Sequence, residues 1–253
     1  MIVMRAAIGA EWTKLWTTRT VWWALGAAAM LMAAGAGQYA IYAGNGDLAA
    51  GLLSDGRVPA GTIAVLAVGI AQLAFVALAM LVMTSEYSTG TIRATLAWIP
   101  SRGRLLLAKC AVVAVVTLVA GTAVGLLGAL VAVPLLGGLG DTDAAAIVGD
   151  ALGIGAYLAL LAVFATGLGA ALRGPVVTLV VVLLLVVVLP PILQVPDLPA
   201  LNRIADSLPG VAGNHFLHGD ADPYPAVVGL LVLAAWALAA VLAGWRVMRH
   251  RDA

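Results

Sequence analysis

The chain has 253 residues, 63% of them hydrophobic and 10% charged, and its 13 basic and 12 acidic residues leave a formal net charge of +1. A soluble domain carries roughly 25% charged residues, so a water-soluble fold cannot hide this much apolar surface; the near-zero net charge also excludes a general attraction to nucleic acid or to an acidic substrate. The single cysteine, Cys110, excludes an internal disulfide and reads as a small packing residue.

In chain order, about twenty residues precede the first long apolar run. Ile8, Trp12, Leu15 and Trp16 follow i, i+4, i+7, i+8 spacing, while Arg5, Glu11, Lys14 and Arg19 fall largely on other faces. This pattern predicts a helix over 1–20 lying in the membrane interface, its tryptophans at headgroup depth and its basic residues toward anionic lipid. The segment does not fit a cleavable signal, so the first span is expected to be retained.

A membrane-crossing helix needs about 20 mainly apolar residues, and the apolar runs predict six spans, over 21–43, 61–83, 108–136, 147–172, 175–194 and 226–245. An even number places both termini on one side. Arg5, Lys14, Arg19, Arg93, Arg102, Arg104, Lys109, Arg173, Arg246, Arg249 and Arg251 share that side, against Arg57 and Arg203 on the other. The positive-inside rule therefore puts both ends in the cytoplasm, and this assignment leaves no basic residue for a span interior. The acids lean outward, with Asp47, Asp55, Asp141, Asp143 and Asp150 among those expected at the outer side or its edge.

Two connections are long. Between the second and third spans, Ser85 reads as a helix cap with Glu86 in the first turn, Ile92, Leu96 and Ile99 as an apolar stripe, and Pro100 as the stop. A short cytoplasmic helix over Ser85 to Ile99 is expected there, with Arg102 and Arg104 marking the return to the membrane surface. The last external loop, 195–225, holds five prolines, and Leu198, Leu201, Ile204, Ala205 and Leu208 have helix-like spacing. One or more short amphipathic or re-entrant helices are expected before the sixth span.

Catalytic chemistry is not visible. There is no His-Glu-x-x-His pair and no Gly-x-Ser-x-Gly turn, and His215, His218 and His250 all lie outside the predicted spans. His215 and His218, followed by Asp220 and Asp222, read as a polar external loop, because zinc sites need better-defined spacing. Ion-coupled transporters place ionisable groups within the bilayer; the predicted span interiors offer only neutral polar residues such as Gln38, Gln72, Thr117, Thr122, Thr166 and Thr178. No Gly-x-x-x-x-Gly-Lys-[Ser/Thr] phosphate loop is present either, so energy for transport is expected from another chain. Gly121 with Gly125, and Gly149 with Gly153, have the spacing that lets helices approach closely, and read as internal packing.

Glu11-Trp-Thr-Lys-Leu15, together with Ser85-Glu-Tyr-Ser-Thr-Gly90-Thr-Ile-Arg-Ala-Thr95-Leu, Pro100-Ser-Arg-Gly-Arg104 and Lys109, resembles the permease subunits of ATP-binding-cassette (ABC) exporters of the type-2 class. The resemblance implies an all-α integral membrane protein: six transmembrane helices, an N-terminal interfacial helix carrying Glu11, Trp12, Lys14 and Trp16, a coupling helix between spans 2 and 3, and short re-entrant helices before span 6. It also implies a single permease domain over 1–253 that pairs with a second permease, identical or different, with a homodimer expected, above two copies of a separate ABC ATP-binding subunit holding ATP and Mg. Carried residue by residue, it places Glu86, Tyr87, Gly90, Thr91 and Arg93 at or beside the ATPase contact. The implied function is export of an amphipathic drug or antibiotic, peptide or lipid; a membrane scaffold or assembly factor without a transport pathway is the alternative. The abundance of Ala and the predominance of Arg over Lys point to a high-GC bacterium, with its plasma membrane as the location.

Overall fold

The computed structural model describes residues 2–46, 56–92, 101–219 and 222–250. A backbone in hydrocarbon must satisfy its own polar groups, and for apolar segments of this length the helix is the local solution. The elements are α1 (Ile2–Thr17), α2 (Arg19–Gly44), β1 (Val58–Pro59), α3 (Ala60–Ser88), α4 (Arg102–Leu136), a 3-10 turn (Gly137–Leu139), β2 (Gly140–Asp141) and α5 (Ala144–Leu172). They continue with α6 (Pro175–Leu183), a π turn (Leu184–Val188), α7 (Leu189–Gln194), α8 (Pro199–Asp206), α9 (Pro209–His218) and α10 (Ala226–His250). Six helical segments among the described residues are long and apolar enough to cross a membrane: α2, α3, α4 with its 3-10 extension, α5, α6 through α7, and α10. The protein is thus an all-α membrane protein with six candidate spans.

Two compact units divide the chain. One takes Met1–Val21, Val76–Val116 and Ala159–Ala253; the other takes Trp22–Phe75 and Thr117–Leu158.

Small residues set the helix spacing in the second unit. A Cβ added to Gly121 would lie 3.2 Å from the Cα of Gly155, and one added to Gly125 would lie 3.1 Å from the Cα of Ala151. The Gly121/Gly125 pair therefore seats α4 on α5 within the chain. Gly149 makes no such approach, since open space surrounds the position of its missing Cβ. Tyr157, fully enclosed, donates its hydroxyl hydrogen to Gln72 Oε1, and Gln72 Nε2 donates to the Gly69 carbonyl at 2.9 Å, so these buried polar groups satisfy one another. A short parallel bridge pairs Val58 with Gly140 and Pro59 with Asp141.

In the first unit α5 crosses α10 at glycines: a Cβ on Gly167 would lie 2.6 Å from the backbone nitrogen of Val241, and one on Gly244 2.7 Å from the Gly167 carbonyl oxygen. The fifth span is not one regular helix. The amide of Leu189 bonds the carbonyl of Leu184, five residues back, and Pro190 and Pro191 then remove two further amide hydrogens from the ladder. Gly210, in the first turn of α9, packs against this widened turn; a Cβ there would lie 2.1 Å from the Val186 carbonyl oxygen.

The connection before the last candidate span forms two short helices, α8 and α9, each with a proline in its first turn. The expected stripe splits: Ala205 and Leu208 are buried while Leu198 and Ile204 are exposed. His215 Nε2 is paired with the Tyr224 carbonyl, Tyr224 donates its hydroxyl hydrogen to the Asp206 carbonyl, and Trp236 of α10 donates to the Ser207 carbonyl at 2.7 Å.

Candidate functional site

Three features of the first unit differ from the sequence-based expectation, and they meet at one place. The first is the end of α3. Ser85 was expected to start a helix and instead lies inside one that runs on to Ser88. The hydroxyls of Thr84, Ser85 and Thr89 turn back onto the carbonyls of Met80, Leu81 and Ser85, and Gly90, at φ +72°, takes the left-handed conformation that closes helix C-termini. Thr-Ser-Glu was therefore a helix end that resembled a helix start. The part of the expected coupling helix after Ile92, with Arg93, Leu96 and Ile99, and the expected stop at Pro100 lie outside the described residues.

The second is the orientation of α1. The sequence put Ile8, Trp12, Leu15 and Trp16 on one apolar face and Glu11 on another. In the structure Ala7, Glu11 and Leu15, at i, i+4, i+8, form the buried face, while Trp12 is exposed and meets Trp16 edge-on at 5.8 Å.

The third is Lys109. It was counted among the residues of the cytoplasmic surface, yet its side chain is 0% exposed, within α4. An ammonium has three hydrogens to donate, and all three find acceptors: Glu11 Oε2 at 2.7 Å, Glu86 Oε1 at 2.7 Å and the Val82 carbonyl at 3.3 Å. Lys14 of α1 also donates to Glu86 Oε1. Glu11 is 6% and Glu86 2% exposed, whereas Lys14 is 46% exposed. Two acids and two bases thus cancel in charge, and they join α1, the last turns of α3 and the first turns of α4. Glu86 Oε2 takes no hydrogen bond among the described residues. A carboxylate near a helix C-terminus opposes the helix dipole; the two ammonium groups converging on Glu86 offset that cost.

In the same unit the C-terminal end of α10 is held by cations. Arg102 donates to the Met248 carbonyl and Arg173 to the Val247 carbonyl, so both satisfy carbonyls in the last turn of α10. Arg102 is therefore more than a topology anchor. The Arg173 guanidinium lies 5.2 Å from the ring centre of the half-buried Tyr87. Beyond Gly90, Thr89 and Thr91 bond through their hydroxyls at 2.9 Å, and Ile92 is buried with Met83, Leu105, Leu106, Cys110, Ala170 and Met248.

Of the residues singled out by sequence, Glu11, Lys14 and Glu86 come together in one site with Lys109; Tyr87 packs beside it, Gly90 and Thr91 follow it, and Trp12 and Trp16 lie on another face of α1. Lys109 was missed as a member. Its signal was a lone lysine one residue into an otherwise apolar run. The cluster holds no nucleophile poised beside a base, and its ionic groups serve to bind helices together.

No curated protein matches the chain. Residues 7–189 match the description "ABC-2 family transporter protein", a stretch that begins within α1, ends at the start of α7 and contains every member of the ion cluster. The chain belongs to the ABC-2 transporter family, as a membrane-spanning component.

Proposed function

We propose that this chain is the permease half of an ATP-driven exporter, working with two copies of an ABC ATP-binding subunit and with a second, identical permease. The family match over residues 7–189 carries the reading, and the six candidate spans are consistent with it. ATP and Mg belong to the partner ATPase. The cargo is amphipathic, a drug or antibiotic, a peptide or a lipid, in keeping with the apolar spans, and it leaves across the bacterial plasma membrane. Both termini are cytoplasmic on the distribution of basic residues.

Coupling in this reading runs through the connection that follows α3. Gly90, Thr91 and Arg93 meet the ATPase, while Glu86 and Tyr87 act from beneath as positioning residues. The bond from Glu86 to Lys109, and from Lys109 to Glu11, gives a displaced α3 end two routes, into α4 and into α1. The interfacial helix, with Lys14, Trp12 and Trp16 at headgroup depth, then moves with the bundle.

The experiment is purification of the tagged chain in mild detergent with mass measurement of the complex, alongside ATP-dependent uptake of an amphipathic dye into inside-out vesicles. Two permeases and two ATPases are expected. A stable, active complex with one copy of this chain and no other permease would sink the dimeric reading. Replacing Gly90, Thr91 and Arg93 together is expected to impair ATPase stimulation and uptake while the chain still inserts. Normal assembly, ATPase activity and uptake in that variant would rule the segment out as the coupling element.

A further inference from the structure

Beside the ion cluster, between α1 and α3, lies a partly enclosed cavity of about 130 Å³. Its lining is mixed, with Glu11, Lys14 and Lys109 among the polar residues and Leu15, Leu78 and Leu81 among the apolar ones. The size is informative. It is close to the roughly 150 Å³ of an apolar cavity that takes up one benzene and well below the roughly 300–1,000 Å³ of pockets that enclose a drug-sized molecule. A whole exported cargo does not fit; one part of a larger amphiphile does.

The charges narrow the class. The cluster is neutral, because Lys14 and Lys109 balance Glu11 and Glu86, so no excess of positive charge is left to hold a free anion. Lys109 also lines the cavity, but it is fully enclosed and its three hydrogens are taken by Glu11, Glu86 and the Val82 carbonyl, which leaves Lys14, nearly half exposed, as the cation a ligand can reach. Among the described residues Glu11 accepts a hydrogen bond at Oε2, from Lys109, and none at Oε1. Glu11 and Lys14 stand three residues apart on one helix and line the same cavity. A ligand carrying a phosphate and, a few bonds away, an ammonium with hydrogens to donate answers both groups, and an attached hydrocarbon chain answers the leucines.

We infer that this crevice is a binding site for a phospholipid with a primary-ammonium headgroup, phosphatidylethanolamine, whose phosphate meets Lys14, whose ammonium meets Glu11 Oε1 and whose acyl chain begins along Leu15, Leu78 and Leu81. The inference rests on the membrane-embedded reading and not on transport, and lipid retention reads it separately from export. Phosphatidylcholine, whose trimethylated ammonium has no hydrogen to donate, is the discriminating competitor. Phosphatidylglycerol, with a hydroxyl in place of the ammonium, is the second.

The test is native mass spectrometry of the full chain released from nanodiscs containing equal parts of the three lipids. Wild type is expected to retain phosphatidylethanolamine about tenfold or more over phosphatidylcholine, the scale of one hydrogen bond to a charged group. Leu81→Trp, which fills the apolar side without altering a charge, is expected to abolish that retained lipid. Glu11→Gln is expected to erase the preference among headgroups. Equal retention of the three lipids by wild type overturns the proposal, and so does undiminished selective retention by Leu81→Trp. The wild-type comparison stands even where a variant fails to fold.

Discussion

Replacing Lys109 with methionine removes the cation on which two buried carboxylates converge. Each 2.7 Å contact is worth about 6 kcal/mol at an effective dielectric of about 20. The desolvation of three enclosed ions, several kcal/mol each, offsets most of that sum. The intact cluster is therefore close to neutral against an apolar substitute, but a broken one is not. In Lys109→Met, Glu86 keeps Lys14, while Glu11 loses the one partner it has among the described residues and remains almost fully enclosed. Removing one partner of a buried pair costs about 3 to 5 kcal/mol, or roughly a hundredfold to several thousandfold in the ratio of folded to unfolded chain. Lys14→Ala removes a half-exposed lysine and leaves Glu86 its bond to Lys109, so about 0 to 1 kcal/mol is expected. Adding Glu11→Gln to Lys109→Met removes the stranded charge and should return much of the loss. The assay is thermal unfolding of the purified protein in mild detergent, read as the fraction still monodisperse after heating and as a reversible transition in a denaturing detergent. The reasoning fails if Lys109→Met costs no more than Lys14→Ala, or if the second substitution restores nothing.

Other expectations follow from the same coordinates. Gly167→Ala and Gly210→Ala place a Cβ within 2.6 and 2.1 Å of backbone atoms of Val241 and Val186 and should each lower stability by about 1 to 3 kcal/mol, whereas Gly26→Ala, with open space around it, should be neutral in the same melt. Cysteines introduced at Asp141 and Asp252 test the orientation: an impermeant thiol reagent applied to whole cells should label the first alone, with native Cys110 buried and silent, and labelling of Asp252→Cys only would reverse the topology. Burial pushes the Asp206 carboxyl above its ordinary value, with His215 opposing the shift and Asp222 adding to it. A raised carboxyl stabilises the fold while protonated, and that contribution is present below its unfolded pKa of about 3.9 and is lost as pH rises through the folded value; Asp206→Asn should flatten this acid-side slope in melts, and an unchanged slope would remove Asp206 as its source.

The spans were legible because composition is a local property: twenty apolar residues in a row carry the same meaning whatever they pack against. The pairing of Lys109 with Glu11 was not, since it joins residues 98 positions apart and depends on how α1 lies against α4. Helix ends were harder than helix existence. Ser85 and Glu86 are good residues for an N-terminus by intrinsic preference, and only the left-handed Gly90 and the burial of Glu86 reveal a C-terminus. Which face of α1 meets the bundle was not legible for a related reason. Tryptophan was taken as the apolar signal, but a helix between protein and lipid has two apolar sides, and the small residue Ala7 with Glu11 and Leu15 marks the one that meets the bundle. Glycine spacing gave one packing site, Gly121/Gly125, and overlooked the crossing of Gly167 with Gly244, which belongs to no spaced pair within one helix.

The π turn at Leu184–Val188 gives the fifth span one place where its length can change without turning the helix. Val187 and Val188 are exposed there, so exchanging either for another aliphatic residue leaves the enclosed contacts in place. Deleting one of them removes the extra residue of the widened turn. The Leu189 amide would then stand four residues, not five, after the Leu184 carbonyl it bonds, and the turn would close to ordinary α geometry. Pro190 would keep its enclosure, and the chain leaving Gln194 toward α8 would keep its direction. The same deletion within the regular turns of α6 would rotate every residue after it by about 100° and shift it by about 1.5 Å. Among chains that share this architecture, single-residue gaps should therefore gather between Leu184 and Val188 and be rare between Pro175 and Leu183.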